Sequence, residues 1–300
     1  MWDNAGWMLD LAAGQLVADK YRIDFVIGAG GMGVVVAATH IDLQQPVAIK
    51  VLKDANEEAI ARFQREARLI VRLKSEHVAR VFDVGSFDDD TPYYVMERLE
   101  GEDLSKVLAK RKTIPVEQAV DYVLEACEAI AEAHTLGVVH RDLKPANLFV
   151  ARGPGGKGSV KVLDFGVSKS LSEHSQVGHL TNEGVALGSP GYMAPEQIES
   201  SRDVDARADI YSLGAILYRL TSGSNPYKGD SLMSVLASMA SSTFAPLRSV
   251  ADVPADFAKV VEQCLAQEPS ARPASVAEVA KALAPFGSRR AQAGLEQILA

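Results

Sequence analysis

The chain has 300 residues, of which 47% are apolar and 23% are charged, and its formal net charge is -8. This length allows a large core and more than one lobe, and the composition is that of an ordinary globular protein. The acidic balance argues against a general nucleic-acid-binding surface, which would show a basic stripe. Residues 1–16 lack the basic segment of a signal peptide, and no run of about 18 apolar residues predicts a membrane segment.

The two cysteines predict neither a disulfide framework nor a metal site. Cys127 and Cys264 lie far apart in the sequence, each in an apolar, helix-like run. Such cysteines are usually buried as small hydrophobic residues. So low a cysteine count fits a reducing, cytoplasmic location.

The first third of the chain predicts a small antiparallel sheet interrupted by one helix. From Tyr21 to about Val95, short β-branched runs alternate with turn residues. The helix is predicted over about Asn56 to Leu73, because apolar residues recur there at helical spacing. Its apolar face consists of Ile60, Phe63, Ala67, Ile70 and Val71.

From about Gly101 onward the sequence predicts mainly helix, beginning with a long Ala-rich helix from Val116 to Thr135. Two strand-like pieces, Val139 to Val150 and Val160 to Val162, flank a Gly-rich turn at residues 151–159. Further helices are predicted at Ala206 to Leu220, Leu232 to Ser238, Asp256 to Ala266 and Val276 to Ala284. The fold class is therefore α+β, with a small β-rich lobe and a larger helical lobe that meet near residues 98–101.

A glycine-rich segment, Ile27-Gly28-Ala29-Gly30-Gly31-Met32-Gly33, has the G-x-G-x-x-G spacing of a phosphate-binding loop. Glycines let backbone N–H groups approach phosphate oxygens. In a nicotinamide dehydrogenase these glycines open a helix, and an acidic residue follows about 20 positions later. In a kinase they form the tip of a hairpin. The strand-like run Val34-Val35-Val36 favours the hairpin, and the nearest acidic candidate, Asp54, follows a lysine-bearing strand.

Four further motifs follow the glycines in order. They are Val47-Ala48-Ile49-Lys50, His140-Arg141-Asp142-Leu143-Lys144-Pro145-Ala146-Asn147, Asp164-Phe165-Gly166 and Ala194-Pro195-Glu196. With this set the chain resembles the protein kinase family, and in style the bacterial, eukaryotic-like (Hanks-type) serine/threonine kinases. The resemblance implies a bilobal protein kinase fold over residues 21–286, divided into lobes at 21–98 and 101–286. Residues 1–20 would be an extension and residues 287–300 a tail.

Phosphoryl transfer requires positioning of ATP and neutralisation of charge on its phosphates. Lys50 is the candidate for the α- and β-phosphates, and the predicted helix offers Glu66 to hold that lysine. Asn147 and Asp164 supply the hard oxygen ligands that Mg²⁺ prefers.

Asp142 is the candidate acceptor for the proton of the attacking hydroxyl. Lys144, two residues later, is placed to contact the transferring phosphate. In the family this lysine is typical of serine/threonine kinases rather than tyrosine kinases. The resemblance therefore implies phosphate transfer from ATP to serine or threonine of protein substrates.

Further ATP contacts are implied by the resemblance alone. The glycine-rich segment from Ile27 to Gly33 would cover the phosphates. Met96 would lie at the back of the adenine pocket, Glu97 and Leu99 would offer backbone groups, and Asp103 would meet the ribose. Val35, Ala48 and Phe149 would enclose the adenine ring, although plain core packing explains such apolar positions equally well.

Two further features are interpreted as structural. Asp209 resembles the buried aspartate that braces the catalytic loop. Glu196 and Arg272 resemble the ion pair that anchors the segment after the activation loop.

Regulation is expected at an activation loop from Val167 to about Met193. Arg141 precedes the catalytic aspartate and is suited to bind a phosphate on that loop. Counting back from Ser189, as in bacterial relatives, makes Thr181 the candidate autophosphorylation site and Glu183 a permanent negative charge. Ser189, a second phosphosite candidate, replaces the usual threonine and keeps its hydroxyl.

Two alternatives and several partner expectations remain. A catalytically inactive ATP-binding pseudokinase would normally have lost one of the key residues, and a dehydrogenase would leave the later motifs unexplained. The expected partners are ATP, protein substrates and a second copy of the chain for autophosphorylation. Nucleic acid is not expected as a partner. The tail from Ser288 carries Leu295, Ile298 and Leu299 on an amphipathic helix, which is expected to cover the lobe rather than dock a partner.

Overall fold

In a computed structural model of the chain, the β-branched runs after Tyr21 form an antiparallel sheet, as the sequence predicts. The chain divides into two compact units, Met1–Arg72 with Ala79–Glu100 and Leu73–Val78 with Gly101–Ala300. The structure describes residues 11–30, 33–52, 56–87, 89–153, 158–165, 190–199, 204–227, 229, 232–241 and 244–299.

Several positions of the sequence analysis lie outside the described residues, so what is expected of them stays a prediction. They include most of the activation loop. The individual residues are Gly31, Met32, Asp54, Gly166, Thr181, Glu183 and Ser189.

The first unit is built on a six-stranded sheet whose neighbouring strands are all antiparallel. Its strands are β1 (Leu16–Val17), β2 (Tyr21–Gly30), β3 (Gly33–His40), β4 (Gln45–Leu52), β5 (Val81–Ser86) and β6 (Pro92–Glu97). They lie in the order β1-β2-β3-β4-β6-β5. A buried apolar cluster that includes Val36, Ile49 and Val95 contains residues of β1, β2, β3, β4 and β6.

One helix, α1 (Glu57–Arg72), packs against this sheet. Asn56 caps its start, because the Asn56 Oδ1 atom accepts a hydrogen bond from the Ala59 backbone N–H at 2.8 Å. Phe63 and Ala67 are buried against Tyr94 of the sheet. The expectation that Val71 belongs to this apolar face is wrong, since 61% of Val71 is exposed.

The glycine-rich segment is a hairpin rather than the start of a helix. Strand β2 runs through Gly30, strand β3 begins at Gly33, and these two residues pair with each other. At Gly33 the φ angle is +157°, and a Cβ atom there would overlap the Val51 carbonyl oxygen. A side chain therefore cannot be accommodated at Gly33 without moving strand β4.

The second unit contains a three-stranded sheet and a larger set of helices. The strands are β7 (Gly101–Asp103), β8 (Leu148–Arg152) and β9 (Gly158–Val162), paired in that order. The helices are α2 (Leu104–Arg111), α3 (Val116–Thr135), α4 (Pro195–Glu199), α5 (Arg207–Ser222), α6 (Leu232–Ala240), α7 (Leu247–Val250), α8 (Ala255–Cys264), α9 (Val276–Leu283), α10 (Arg289–Ala293) and α11 (Leu295–Leu299). Short 3₁₀ turns lie at Pro145–Asn147, Pro190–Tyr192, Pro269–Ala271 and Ala284–Phe286.

Helices α3 and α5 form the centre of the second unit. Helix α5 is buried along most of its length, α3 buries one face, and the two helices pack on each other. Cys127 of α3 and Cys264 of α8 are free and buried, as expected. Burial raises the pKa of both thiols, to about 12 in the case of Cys264. The thiols therefore stay protonated and unreactive at neutral pH.

The strand predicted from Val139 to Val150 is wrong in its first part. Strand β8 begins only at Leu148, and Pro145 begins a 3₁₀ turn instead. Arg141 has a φ angle of 63°, which an extended strand does not allow. Apolar side chains of this stretch, such as Leu143, are buried in a loop and not in a paired strand.

The C-terminal tail covers the second unit, as the sequence predicts. Helix α11 packs on α3 and α9, and Ile298 is buried with 6% of its surface exposed. The Ser288 backbone N–H donates a hydrogen bond to Asp121 of α3 at 2.8 Å, which ties the start of this tail to the same helix. Within the described part of the chain, no helix combines the length and hydropathy that crossing a membrane requires.

Candidate active site

The first unit places the candidate phosphate-binding lysine in a buried ion pair. The Lys50 Nζ atom lies 2.9 Å from Oε1 of Glu66, and the two side chains are only 7% and 5% exposed. Strand β4 carries Lys50 and helix α1 carries Glu66, so the packing of α1 on the sheet sets this distance. A buried carboxylate fixes both the charge and the direction of the lysine.

Tyr94 supports the same ion pair, a role that no motif in the sequence predicts. Its hydroxyl donates to Glu66 Oε1 at 3.1 Å, and its ring centre lies 5.6 Å from the Lys50 Nζ atom. Tyr94 stands opposite Lys50 in the pairing of β4 with β6. In the sequence Tyr94 looks like an ordinary apolar strand residue, so no local signal identifies its role.

The residues expected around adenine in the first unit lie on adjacent strands. Val35 pairs with Lys50, and Ala48 pairs with Met96. The Glu97 backbone N–H donates to the Arg80 carbonyl at 2.8 Å, so a contact of Glu97 with adenine would use its carbonyl oxygen. Leu99 is half-buried.

The exposed side of the glycine hairpin contains the remaining candidates of this unit. Ile27 is 51% exposed, and Gly28, Ala29 and Gly30 are exposed beside it. Backbone N–H groups in such a segment are accessible to phosphate oxygens.

In the second unit the catalytic-loop candidates contact one another. The Lys144 Nζ atom lies 2.9 Å from Asp142 Oδ2. The Asn147 side-chain Nδ2 donates to the Asp142 carbonyl at 2.8 Å and lies 3.4 Å from Asp142 Oδ2. Asp142 is therefore held at its backbone and its carboxylate, with a cation beside it.

Asp209 braces this loop from helix α5. The fully buried Asp209 carboxylate accepts hydrogen bonds from the backbone N–H groups of His140 and Arg141, both at 2.8 Å. Its Oδ2 atom also lies 2.7 Å from Nε2 of His134 at the end of α3. The brace expected from the sequence is present, and His134 is a partner that the sequence did not suggest.

The catalytic loop is bonded in turn to the segment that carries Asp164. The Leu163 N–H donates to the Asn147 carbonyl at 2.8 Å, and the Leu163 carbonyl lies 3.1 Å from His140 Nε2. Asp164 has a left-handed φ of 51°, and the next residue, Phe165, is buried with its ring 5.0 Å from that of His140. Two bonds to Leu163 thus set the position of Asp164 relative to Asn147.

Asn147 and Asp164 have the donor chemistry for a divalent cation. Because Nδ2 of Asn147 faces Asp142, its Oδ1 oxygen lies on the other side of the amide group. No cluster of three or more His, Cys, Asp or Glu side chains suited to a metal occurs among the residues that the structure describes. Mg²⁺ needs no such cage, since it is commonly held by one or two protein oxygens together with substrate phosphates.

Asp103 and Phe149 form a pair between strands β7 and β8. The Asp103 Oδ1 atom caps helix α2 by accepting a hydrogen bond from the Lys106 N–H at 3.0 Å. Gly101 in the same strand has a φ angle of +148°, and a Cβ atom there would overlap the Val150 carbonyl oxygen. Asp103 thus has a structural role as a helix cap, whatever it contacts in a ligand.

Glu196 and Arg272 form the expected ion pair. Two parallel contacts of 2.6 and 2.8 Å join the Arg272 guanidinium to the Glu196 carboxylate. The guanidinium also lies over the ring of Tyr211 at 5.1 Å, and burial raises the pKa of that phenol, which keeps it neutral. This pair ties helix α4 to the segment before α9.

The glycine-rich segment forms a hairpin and does not open a helix, which excludes the dinucleotide-binding fold. The buried Lys50–Glu66 pair and the loop around Asp142 match a phosphotransferase. The sequence model of the protein kinase domain matches residues 21–283. The chain belongs to the protein kinase family. Members of this family use ATP as phosphate donor, usually with a divalent metal ion.

The relatives of this kinase-family chain are bacterial serine/threonine kinases. It is 36% identical to the serine/threonine-protein kinase pkn3 of Myxococcus xanthus over 91% of this chain and 51% of that protein. It is 33% identical to PknB of Mycobacterium leprae over 88% of this chain and 42% of that protein. The chain therefore spans about half the length of these relatives or less. Their names support the kinase interpretation and give no support to the pseudokinase alternative.

Solved structures show the same fold. The crystal structure of the Mycobacterium tuberculosis PknI kinase domain matches with a TM-score of 0.69 and 28% identity, and the match covers 92% of this chain and 98% of that one. The protein kinase fold expected from the sequence is thereby confirmed.

Proposed function

We propose that this chain transfers the γ-phosphate of ATP to serine or threonine hydroxyls of proteins. The observation that carries the proposal is the loop in which Lys144 lies 2.9 Å from the Asp142 carboxylate while Asn147 holds the Asp142 backbone. A carboxylate held in this way is suited to accept a proton, and a cation beside it is suited to balance charge on a phosphate.

In the proposed reaction, the oxygen of a substrate hydroxyl forms a bond to the γ-phosphorus. The bond from that phosphorus to the β,γ-bridging oxygen breaks, so ADP leaves with the electron pair. The hydroxyl proton passes to the Asp142 carboxylate. Lys144 stabilises negative charge on the transferring group. The presence of a lysine two residues after Asp142, which is typical of serine/threonine kinases, is the ground for proposing serine/threonine substrates.

Binding of ATP is assigned to the remaining candidates. Lys50, held by Glu66, would contact the α- and β-phosphates, and the hairpin from Ile27 to Gly33 would supply backbone N–H groups to the phosphates. Asn147 and Asp164 would hold Mg²⁺, which supplies neutralisation of phosphate charge when bound. For the adenosine moiety the candidates are Val35, Ala48, Met96, Glu97, Leu99, Asp103 and Phe149.

The substrate class is tested with the intact chain, Mg-ATP and a generic basic protein. Mass spectrometry should find phosphoserine or phosphothreonine on the added protein, on the chain itself or on both. Phosphotyrosine as the main product would contradict the assignment of Lys144, and no phosphorylated residue on either protein would contradict the function.

Nucleotide-dependent melting separates the kinase from the dehydrogenase that the glycines alone allow. Mg-ATP should raise the melting temperature, because a ligand that binds only the folded state stabilises that state. NAD should leave it unchanged. A shift with NAD alone would reverse the assignment.

Thr181 is proposed as the main autophosphorylation site, and Ser189 is a second candidate on the same loop. Arg141 is the candidate partner for a phosphate on that loop, because arginine pairs well with phosphate. Phosphosite mapping of the active protein should find Thr181 modified. An active protein with Thr181 unmodified would contradict this site.

Domain limits, assembly and location are also proposals. Residues 21–286 are assigned to the kinase domain, with 1–20 and 287–300 outside it. Self-association would bring one copy's activation loop to another copy, and a cytoplasmic location would supply ATP.

A further inference from the structure

A buried amide side chain joins helix α4 to the catalytic loop. Only 9% of Gln197 is exposed. Its Oε1 atom accepts a hydrogen bond from the Ala194 backbone N–H at 3.0 Å. Its Nε2 atom donates to the Arg141 carbonyl at 2.9 Å. One partner requires an acceptor and the other a donor, so the orientation of the amide group is determined.

The Arg141 carbonyl belongs to the peptide group that leads directly into Asp142. The N–H of the same peptide group lies 3.3 Å from Nδ1 of His140. Gln197 therefore holds the oxygen side of this peptide group, and His140 faces its nitrogen side. The Cα atom of Asp142 follows this group directly and carries the side chain, whose carboxylate is bonded to Cβ.

The backbone conformation of Arg141 explains why this peptide group needs to be held. Arg141 has a φ angle of 63°, in the left-handed region that residues with side chains rarely adopt. Asp209 anchors the peptide group before Arg141 through the Arg141 N–H at 2.8 Å. Gln197 anchors the peptide group after it. The two side chains together hold the unfavourable conformation from both sides.

The other end of Gln197 connects to the segment that follows the activation loop. Ala194, which donates to Gln197, stands between the 3₁₀ turn Pro190–Tyr192 and helix α4. The neighbouring residue Glu196 is held by Arg272 at 2.6 Å. Gln197 thus makes a two-bond link from this anchored segment to the peptide group beside Asp142.

We propose that Gln197 is a positioning residue for Asp142 and couples the 190–199 segment to the catalytic loop. The proposal rests on the proposed function, because it assigns Gln197 a role in the step that Asp142 performs. The role requires a side chain that accepts at one end and donates at the other. Methionine, of similar length, does neither well, and an ionised glutamate accepts at both ends.

The test compares Gln197→Met and Gln197→Glu with the wild type in the intact chain. Gln263→Met is the matched control, because Gln263 is an exposed residue of helix α8. Steady-state phosphate transfer to a basic protein gives kcat and the KM for ATP, and thermal melting gives the folded fraction. We expect kcat of Gln197→Met to fall about ten- to a hundredfold, since small displacements of a reacting group have effects of that size. The KM for ATP should change less than about twofold, since only an interaction made in the transition state is lost.

The pH dependence separates positioning from a merely structural role. A protonated glutamate can donate to the Arg141 carbonyl and still accept from Ala194, as glutamine does. Burial raises the pKa of a carboxyl group. The ratio of kcat for Gln197→Glu to kcat for the wild type should therefore rise as the pH falls. Any titration that both proteins share cancels in this ratio.

Each outcome has a distinct meaning. Lowered kcat in folded Gln197→Met, with a kcat ratio for Gln197→Glu that rises at low pH, supports the role. A kcat per folded molecule equal to that of the wild type in Gln197→Met, or a pH-independent ratio, overturns it and leaves the proposed function standing. Absence of transfer by the wild type itself overturns the proposed function, and the role of Gln197 with it.

Discussion

The Nζ atom of Lys50 lies 2.9 Å from Oε1 of Glu66, and both side chains are buried within the first unit. Removing either partner of a buried ion pair costs free energy, because the remaining charge is left without compensation. The same pair is proposed to orient Lys50 toward ATP phosphates. Stability therefore depends on the two charges balancing each other, whereas activity depends on Lys50 itself.

Replacing one or both members of this pair should separate the two effects. Lys50→Met leaves Glu66 charged and buried, so we expect a loss of stability of about 3–5 kcal/mol and no phosphate transfer. Lys50→Met with Glu66→Leu removes both charges, so the free energy of unfolding should recover most of that loss while transfer stays absent. Denaturant unfolding and a transfer assay measure the two quantities. A double variant as unstable as the single one would show that the charges do not govern stability here.

Removing the Asp209 brace should slow transfer more than it weakens ATP binding. In Asp209→Asn one oxygen becomes an NH₂ group facing a backbone N–H donor, so one of the two 2.8 Å bonds to His140 and Arg141 is lost. We expect kcat to fall about ten- to a hundredfold, with the KM for ATP nearly unchanged. Asp256→Asn is the control, since Asp256 is exposed and its partner Lys259 is exposed as well. Equal activity of both variants would contradict the bracing role.

The Arg272 guanidinium should be essential for stability. It is fully buried, bonds both oxygens of Glu196, and donates to the carbonyl oxygens of Ala266, Arg207 and Gln267. Arg272→Ala should cost about 3–5 kcal/mol, and Arg272→Lys should restore little, because an ammonium group lacks the planar fork of donors.

Arg290 provides the control for Arg272 in the same unfolding experiment. Its side chain is 60% exposed and lies 3.8 Å from Glu125. Arg290→Ala should cost less than about 1 kcal/mol, as exposed pairs contribute little. A similar loss in the two alanine variants would contradict the assignment of Arg272 as a buried anchor.

Tyr21 should make stability depend on pH in the alkaline range. Its hydroxyl donates to Asp83 at 3.1 Å, and burial, followed by the Asp83 charge, raises the pKa of Tyr21 to about 12. The folded state then keeps a proton that an unfolded tyrosine loses near pH 10, so this contribution to stability is complete below about pH 10 and is lost toward about pH 12.

Unfolding of the wild type and Tyr21→Phe across this range measures the effect. The stability difference between them should shrink as the pH rises from about 10 to about 12, because phenylalanine carries no titrating proton. Other tyrosines titrate in both proteins and cancel in the difference. A constant difference would contradict the shifted pKa of Tyr21.

The sequence predicted what its motifs and periodicity encode. Helix α3 has the bounds expected, Val116–Thr135, because its apolar residues recur at a regular spacing over five turns. The ion pair of Lys50 with Glu66 and the brace by Asp209 were expected because the resemblance assigns each residue a partner. Short motifs fix which chemical groups are present, and the fold of the family brings those groups together.

Other features depend on tertiary contacts that leave no local pattern. The stretch from Val139 resembles a strand in composition, yet the left-handed Arg141 and the turn at Pro145 make it a loop. Tyr94 and Gln197 look like an apolar strand residue and a polar residue of a short helix. Their hydrogen bonds join positions 28 and 56 residues apart in the sequence. Such partners cannot be inferred from spacing along one element.

Transfer of radiolabelled phosphate from Mg-ATP, compared between the wild type and Asp142→Asn, tests the central claim most directly. The wild type should label serine or threonine residues of a basic protein or of itself. Asp142→Asn should show no label while Mg-ATP still raises its melting temperature, because asparagine keeps the shape but cannot accept the hydroxyl proton. Equal labelling by the two proteins would contradict the role of Asp142, and no labelling by either would contradict the proposal that this chain is an active kinase.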